Sequence, residues 1–136
     1  MPIAGFDHVA IPTDRPEELI AFYGELGFSV PDVDEWRESG VPFFAIQFGD
    51  QKINIHAPAM WRNPDFELRG PTAAPGCGDF CFVWKGDAAE LQQTLDRAGA
   101  EIVAGPVELT GGRGKGTSVY TRDPDQNLLE FIIYAE

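Results

Sequence analysis

A chain of 136 residues, 43% of them hydrophobic and 12% aromatic, can bury one good core or two small ones, but not two large domains. Its formal net charge of −12 argues against nucleic acid or an anionic membrane surface as partner, because both are bound through Lys and Arg. No stretch is apolar and long enough to span a bilayer, and the start of the chain lacks the basic lead of a signal peptide, so a cytoplasmic protein is expected.

The first element predicted is a strand over residues 6–11, where apolar and small or polar residues alternate, closed by Pro12-Thr13-Asp14. A helix follows: Asp14 is placed to cap it near Pro16, Glu17 and Glu18 suit its first turn, and Leu19, Ile20, Phe22, Tyr23 and Leu26 recur at helical spacing up to Gly27. Next come a short strand at Phe28-Ser29-Val30, a polar stretch to Gly40, a strand over 43–48, a hairpin-type turn at Gly49-Asp50, and a strand over 52–56. Residues 58–75, with four prolines, read as a linker too long for an ordinary turn; Met60, Trp61 and Phe66 within it should pack on something.

Beyond the linker the same order returns. Residues 79–84 alternate like the first strand, a helix covers about 87–98 with Gly99 past its end, and strands are expected at 101–103, 117–120 and 128–134. The chain is thus one unit used twice, a single α+β domain with module one at about 3–57 and module two at about 76–136. Each module predicts a small curved sheet with a helix on one face, too small to bury its apolar surface alone.

Strand parity separates two faces, since residues i and i+2 point the same way. Val9, Ile11, Ile53 and Ile55 form the apolar face of module one, and Phe80, Phe82, Trp84, Leu129, Phe131 and Ile133 that of module two. The opposite faces carry His8 and His56 in one module, Asp79 and Glu130 in the other. Glu130 stands among Leu, Phe and Ile, where an unpaired carboxylate is expensive, so a proton, a cationic partner or a metal is expected beside it. The spacing of 48 residues from His8 to His56 and 51 from Asp79 to Glu130 matches His56 with Glu130. His8, His56, Asp79 and Glu130 form a donor set suited to zinc, iron, nickel, manganese or cobalt. Asp79 is expected either to complete that set or to hold a ligating histidine from behind.

Several stretches, taken in this order, carry a family likeness: Asp7-His8-Val9-Ala10-Ile11, Ala21-Phe22-Tyr23, Leu26-Gly27-Phe28, Phe48-Gly49-Asp50-Gln51-Lys52-Ile53-Asn54-Ile55-His56, and Arg122-Asp123-Pro124-Asp125-Gln126-Asn127-Leu128-Leu129-Glu130. With them, from Phe6 to Tyr134, the chain resembles the vicinal oxygen chelate superfamily, which includes glyoxalase I, bleomycin-resistance proteins, fosfomycin-resistance transferases and extradiol dioxygenases. More narrowly it looks like the glyoxalase-domain-containing, lactoylglutathione lyase-like subgroup. The resemblance implies paired βαβββ modules around a divalent metal that contacts adjacent oxygens of a small-molecule substrate, and a homodimer. It also implies isomerase or lyase chemistry with Glu130 or Asp79 moving a proton. Fe(II) ring-cleaving dioxygenation and ligand sequestration without chemistry are the alternatives. Relative to glyoxalase I, a histidine stands at 56 and an aspartate at 79, so two positions are exchanged.

Three further stretches were candidates. Residues 111–117 lack the spacing of a phosphate loop and read as a mobile loop between strands, from which Arg113 and Lys115 could reach an anionic substrate group. Trp61 is a candidate wall of the cavity. Cys77 and Cys81, placed in one strand about 13 Å apart at ~3.3 Å per residue, cannot bridge and are expected as small buried hydrophobes in a reducing compartment.

Overall fold

A computed structural model describes residues 1–135. Both principal helices form where the periodicity put them. The helix α1, Pro16–Glu25, starts with Pro at its first turn beside Glu17 and Glu18 and buries Leu19, Ile20, Phe22 and Tyr23; its N-cap is Arg15 rather than Asp14, with no side-chain cap. A second helix, α2, Val33–Ser39, occupies what reads as a polar stretch: Asp32 accepts from the Glu35 amide and Gly40 closes it at φ +70°. The turn α3, Pro58–Trp61, opens the linker. In module two, α4, Ala88–Ala98, is capped by Asp87 and ended by Gly99.

The strands make two open mixed sheets. β1, His8–Pro12, pairs parallel with β3, Gln51–His56, and β3 pairs antiparallel with β2, Phe43–Phe48, in the order β1-β3-β2. The expected strand at residues 28–30 shrinks to a single bridge between Ser29 and Gln47. Module two repeats the plan with β4, Asp79–Val83; β5, Ala104–Gly111; β6, Gly114–Arg122; and β7, Leu128–Tyr134, in the order β4-β7-β6-β5. The strand predicted at 101–103 lies further along, in β5. The glycine run 111–116 is not a loop but a hairpin, with Gly111 paired to Gly114. Gly116 in it is a packing residue, for a Cβ there would stand 2.7 Å from Ile132 Cγ1.

One core joins the modules. Phe28 and Phe48 of module one meet Phe82 of module two edge to face, at ring separations of 5.0 and 5.3 Å, and α1 packs on α4. A polar seam runs beside these rings. The Tyr23 hydroxyl donates to Asp123 at 2.7 Å, and that buried carboxylate also accepts from Asn127 Nδ2 and the amides of Asp125 and Asn127. Thr13 donates to Asp125 across the same seam. The apolar sides of both sheets supply this shared core, and the polar residues stand on the opposite sides.

Candidate functional site

Strand register decides which polar side chains can act together. His8 pairs with Lys52 and Pro12 with His56 in the parallel β1–β3 ladder, so the two histidines lie four residues apart, about 13 Å along the strand at ~3.3 Å per residue. Among the described residues no group of three ligating side chains brings both onto one ion in a single chain. Asp79 pairs with Leu128 and Cys81 with Glu130 in the parallel β4–β7 ladder. Glu130 lies two residues beyond the one that Asp79 faces, and Asn54 lies two residues beyond the one that His8 faces. By register, therefore, Asn54 stands at the position in module one that Glu130 holds in module two, with His56 two residues further along the same face. A shift of two residues leaves parity unchanged and so is invisible to an argument from parity alone.

The open face of module one is lightly wired. His8 is half-exposed and its Nδ1 lies 2.6 Å from Asp7 Oδ1. Asn54, half-buried, faces Ala45 across the sheet, and His56 faces Phe43. The His56 ring meets Phe66 of the linker at 5.3 Å, edge to face, and desolvation lowers its pKa below the ordinary value.

Module two is different. Glu130, half-buried, accepts a hydrogen bond from Ser118 Oγ at 2.6 Å, and Ser118 is fully buried. Tyr120 faces Glu130 across β6–β7 and Cys81 faces it across β4–β7. Burial first, then Glu130 and Asp79, push the Cys81 thiol up to about 12. The thiolate is thereby disfavoured, so Cys81 is a weak nucleophile at neutral pH. Among the described residues Glu130 makes no ion pair. Its hydrogen-bond donor is the Ser118 hydroxyl. Sequence reasoning missed Asn54, Ser118 and Tyr120, although all three share the parity of Asn54, His56 and Glu130 on their strands. The cysteines are both exposed, with Cys77 outside β4, so neither is the buried hydrophobe expected.

The other candidates separate. Arg113, at the β5–β6 turn, stacks its guanidinium 6.0 Å from the Tyr134 ring centre and lines a cleft of about 530 Å³ together with Phe28, Phe48, Cys81 and Trp84. Lys115 stands away from it, beside Glu108 at 3.8 Å, with both side chains mostly exposed. Trp61 donates from Nε1 to the Thr13 carbonyl at 2.8 Å and carries Arg62 on its face, a brace for the end of β1. Among the described residues no three His, Cys, Asp or Glu side chains of one chain converge as a metal site. The donor types nonetheless suit a divalent cation: one imidazole and one amide from module one, two carboxylates from module two, with two negative charges between them. They fit one ion only if the open face of module one meets that of module two from another copy.

Two curved sheets with matched polar pairs on their open faces define a paired-module α+β protein of the glyoxalase type. The profile of the glyoxalase/bleomycin resistance protein/dioxygenase superfamily matches residues 5–131, and the chain belongs to that superfamily. It is 35% identical, over all of its length and 72% of the relative's, to the glyoxalase domain-containing protein RDO1 of Mycosarcoma maydis. The crystal structure of virulence protein STM3117 from Salmonella typhimurium superposes with a TM-score of 0.82 at 36% identity, covering 99% of this chain and 100% of that one. A lactoylglutathione lyase from Agrobacterium tumefaciens shares the fold at 21% identity and a TM-score of 0.68, covering 97% and 95% of the two chains. Members of the superfamily bind small molecules, commonly use divalent metals and often form dimers.

Proposed function

We propose that this protein is a divalent-metal-dependent enzyme of the vicinal oxygen chelate type, an isomerase or lyase acting on a small molecule with adjacent oxygens. The site would lie between two copies of the chain, with His8 and Asn54 of one facing Asp79 and Glu130 of the other. The single observation that carries this reading is the register: the same two-residue offset in both modules sets one donor pair on each polar face, while no three His, Cys, Asp or Glu side chains converge among the described residues of one chain. The cation would supply Lewis-acid polarisation of the substrate oxygens.

The protein's own groups do the rest. Glu130 holds one carboxylate oxygen on Ser118 and leaves the other toward the open face, where it takes a proton from the substrate carbon next to the oxygens and returns it to the neighbouring carbon. Tyr120, which faces Glu130 across β6–β7, is placed to border that carboxylate. His56 lies two residues along the same face from Asn54 and borders the substrate rather than the ion. Arg113 gives the nearby cleft its positive end, suited to an anionic substrate group, whereas the exposed Lys115 contributes only to the field.

The four-residue offset between His8 and His56 weighs against the Fe(II) dioxygenase alternative, which needs two histidines and a carboxylate on one iron. Elemental analysis of the protein as purified, followed by titration of the apoprotein with nickel, zinc, manganese and ferrous iron, tests the proposal. Stoichiometric binding that is lost in His8→Ala, Asp79→Ala and Glu130→Ala supports it. Failure of the wild type to bind any of these ions, or variants that bind as it does, would overturn it.

A further inference from the structure

The two modules share topology and register but not the support beneath their donors. In module two Ser118 lies in β6, two residues before Tyr120, the residue that faces Glu130. Its hydroxyl is completely buried and donates to Glu130 Oε2 at 2.6 Å, a length typical of a bond to a carboxylate. The corresponding place in module one, reached by the same antiparallel pairing, is Phe43, two residues before Ala45, which faces Asn54. No hydroxyl lies there. A buried serine beside Ile132, which faces it across β6–β7 and is itself buried, is expensive to keep unless its O–H has a fixed acceptor, and Glu130 is that acceptor.

We propose that Ser118 is a positioning residue for Glu130: it anchors one carboxylate oxygen on the floor of the module-two sheet and so fixes the direction in which the other oxygen meets the metal. The inference rests on the reading of Glu130 as a ligand. Anchoring by a buried side chain restricts the carboxylate to one rotamer, so less freedom is lost when the ion binds and the ion meets a set already aimed. A hydroxyl serves better here than a basic group, because it aligns the carboxylate without competing for its charge.

The experiment measures metal affinity of the full chain by competition with a chromophoric chelator, and the absorption spectrum of the cobalt(II)-loaded protein. Ser118→Ala should weaken binding by about 10- to 100-fold, the range typical of losing such an outer partner, and should shift the cobalt spectrum. Ser118→Thr, which keeps the hydroxyl, should restore both. If the threonine does not fold, Ser118→Cys, a weaker donor, should fall between serine and alanine. Thr121→Val is the comparison: Thr121 is equally buried on the same strand but donates to the Glu101 carbonyl, so its loss should lower the urea midpoint and leave affinity and spectrum alone. Wild-type affinity and spectrum in Ser118→Ala, or equal weakening in Thr121→Val, would overturn the positioning role while leaving the metal site standing. A wild type that binds no metal would overturn both.

Discussion

The two modules are built alike and equipped differently. Module one presents His8 and Asn54, an imidazole and an amide with little beneath them, on a sheet whose neighbouring positions are Ala45 and Phe43. Module two presents Asp79 and Glu130, and ties Glu130 down with the buried Ser118, while Tyr120 and Cys81 face it from the neighbouring strands. Duplicated backbone geometry therefore does not carry duplicated chemistry. The backbone repeat sets where a ligand can stand, and the charge and the orientation are concentrated in one half. Under the proposed pairing of two copies, a site assembled from unlike halves would present carboxylates on one side of the substrate and an imidazole and an amide on the other.

The contrast can be broken most severely at Glu130. Glu130→Gln keeps the shape and removes the charge, and metal affinity measured by calorimetry should fall by more than about 100-fold, beyond what the loss of an outer partner costs. The seam between the modules should respond in stability instead. Tyr23→Phe removes a buried hydrogen bond to the Asp123 carboxylate, worth about 1.5–3 kcal/mol, read as a lower urea midpoint with metal affinity retained. Within module one, Asn54→Ala should weaken the metal by about tenfold, less than the loss of the Glu130 carboxylate, because an amide is the weaker ligand. An Asn54 effect as large as that of Glu130 would erase the contrast.

His56 gives the smallest effect, and it is one of pH. Desolvation lowers its pKa in the fold, so the unfolded chain takes up the proton first as pH falls through about 6.5. Stability attributable to His56 is then intact above that value, declines as pH drops toward the lowered folded value, and is flat below it. Urea unfolding at pH 7.5 and 5.5 should show a smaller acid loss in His56→Gln than in the wild type, with metal affinity at pH 7.5 little changed.

The fold and the face of each strand were legible in the sequence because burial imposes them: Ile53 and Ile55 against Asn54 and His56, Leu129 and Phe131 against Glu130. Register was not. A slide of two residues keeps every side chain on its own face, so hydrophobic pattern alone could not choose between Asn54 and His56 as the counterpart of Glu130. Elements that bury little were missed for a related reason. The helix α2 buries no residue and so shows no apolar stripe, although Asp32 and Gly40 mark its ends. The strand β5 is largely exposed and carries Gly105 and Pro106, which blur any alternation. Ser118 escaped notice because its importance comes from a partner on the neighbouring strand, beyond a hairpin that reads as a loop.

The claim that the site is shared between two copies is tested most directly by complementation. His8→Ala and Glu130→Ala chains are mixed, dissociated and reassembled, and tight metal sites are counted. In a mixed pair, intact module one of one chain meets intact module two of the other, so random reassortment should restore about a quarter of the wild-type sites. No recovery from the mixture, with wild-type sites regained only when both residues are intact in the same chain, would contradict the account.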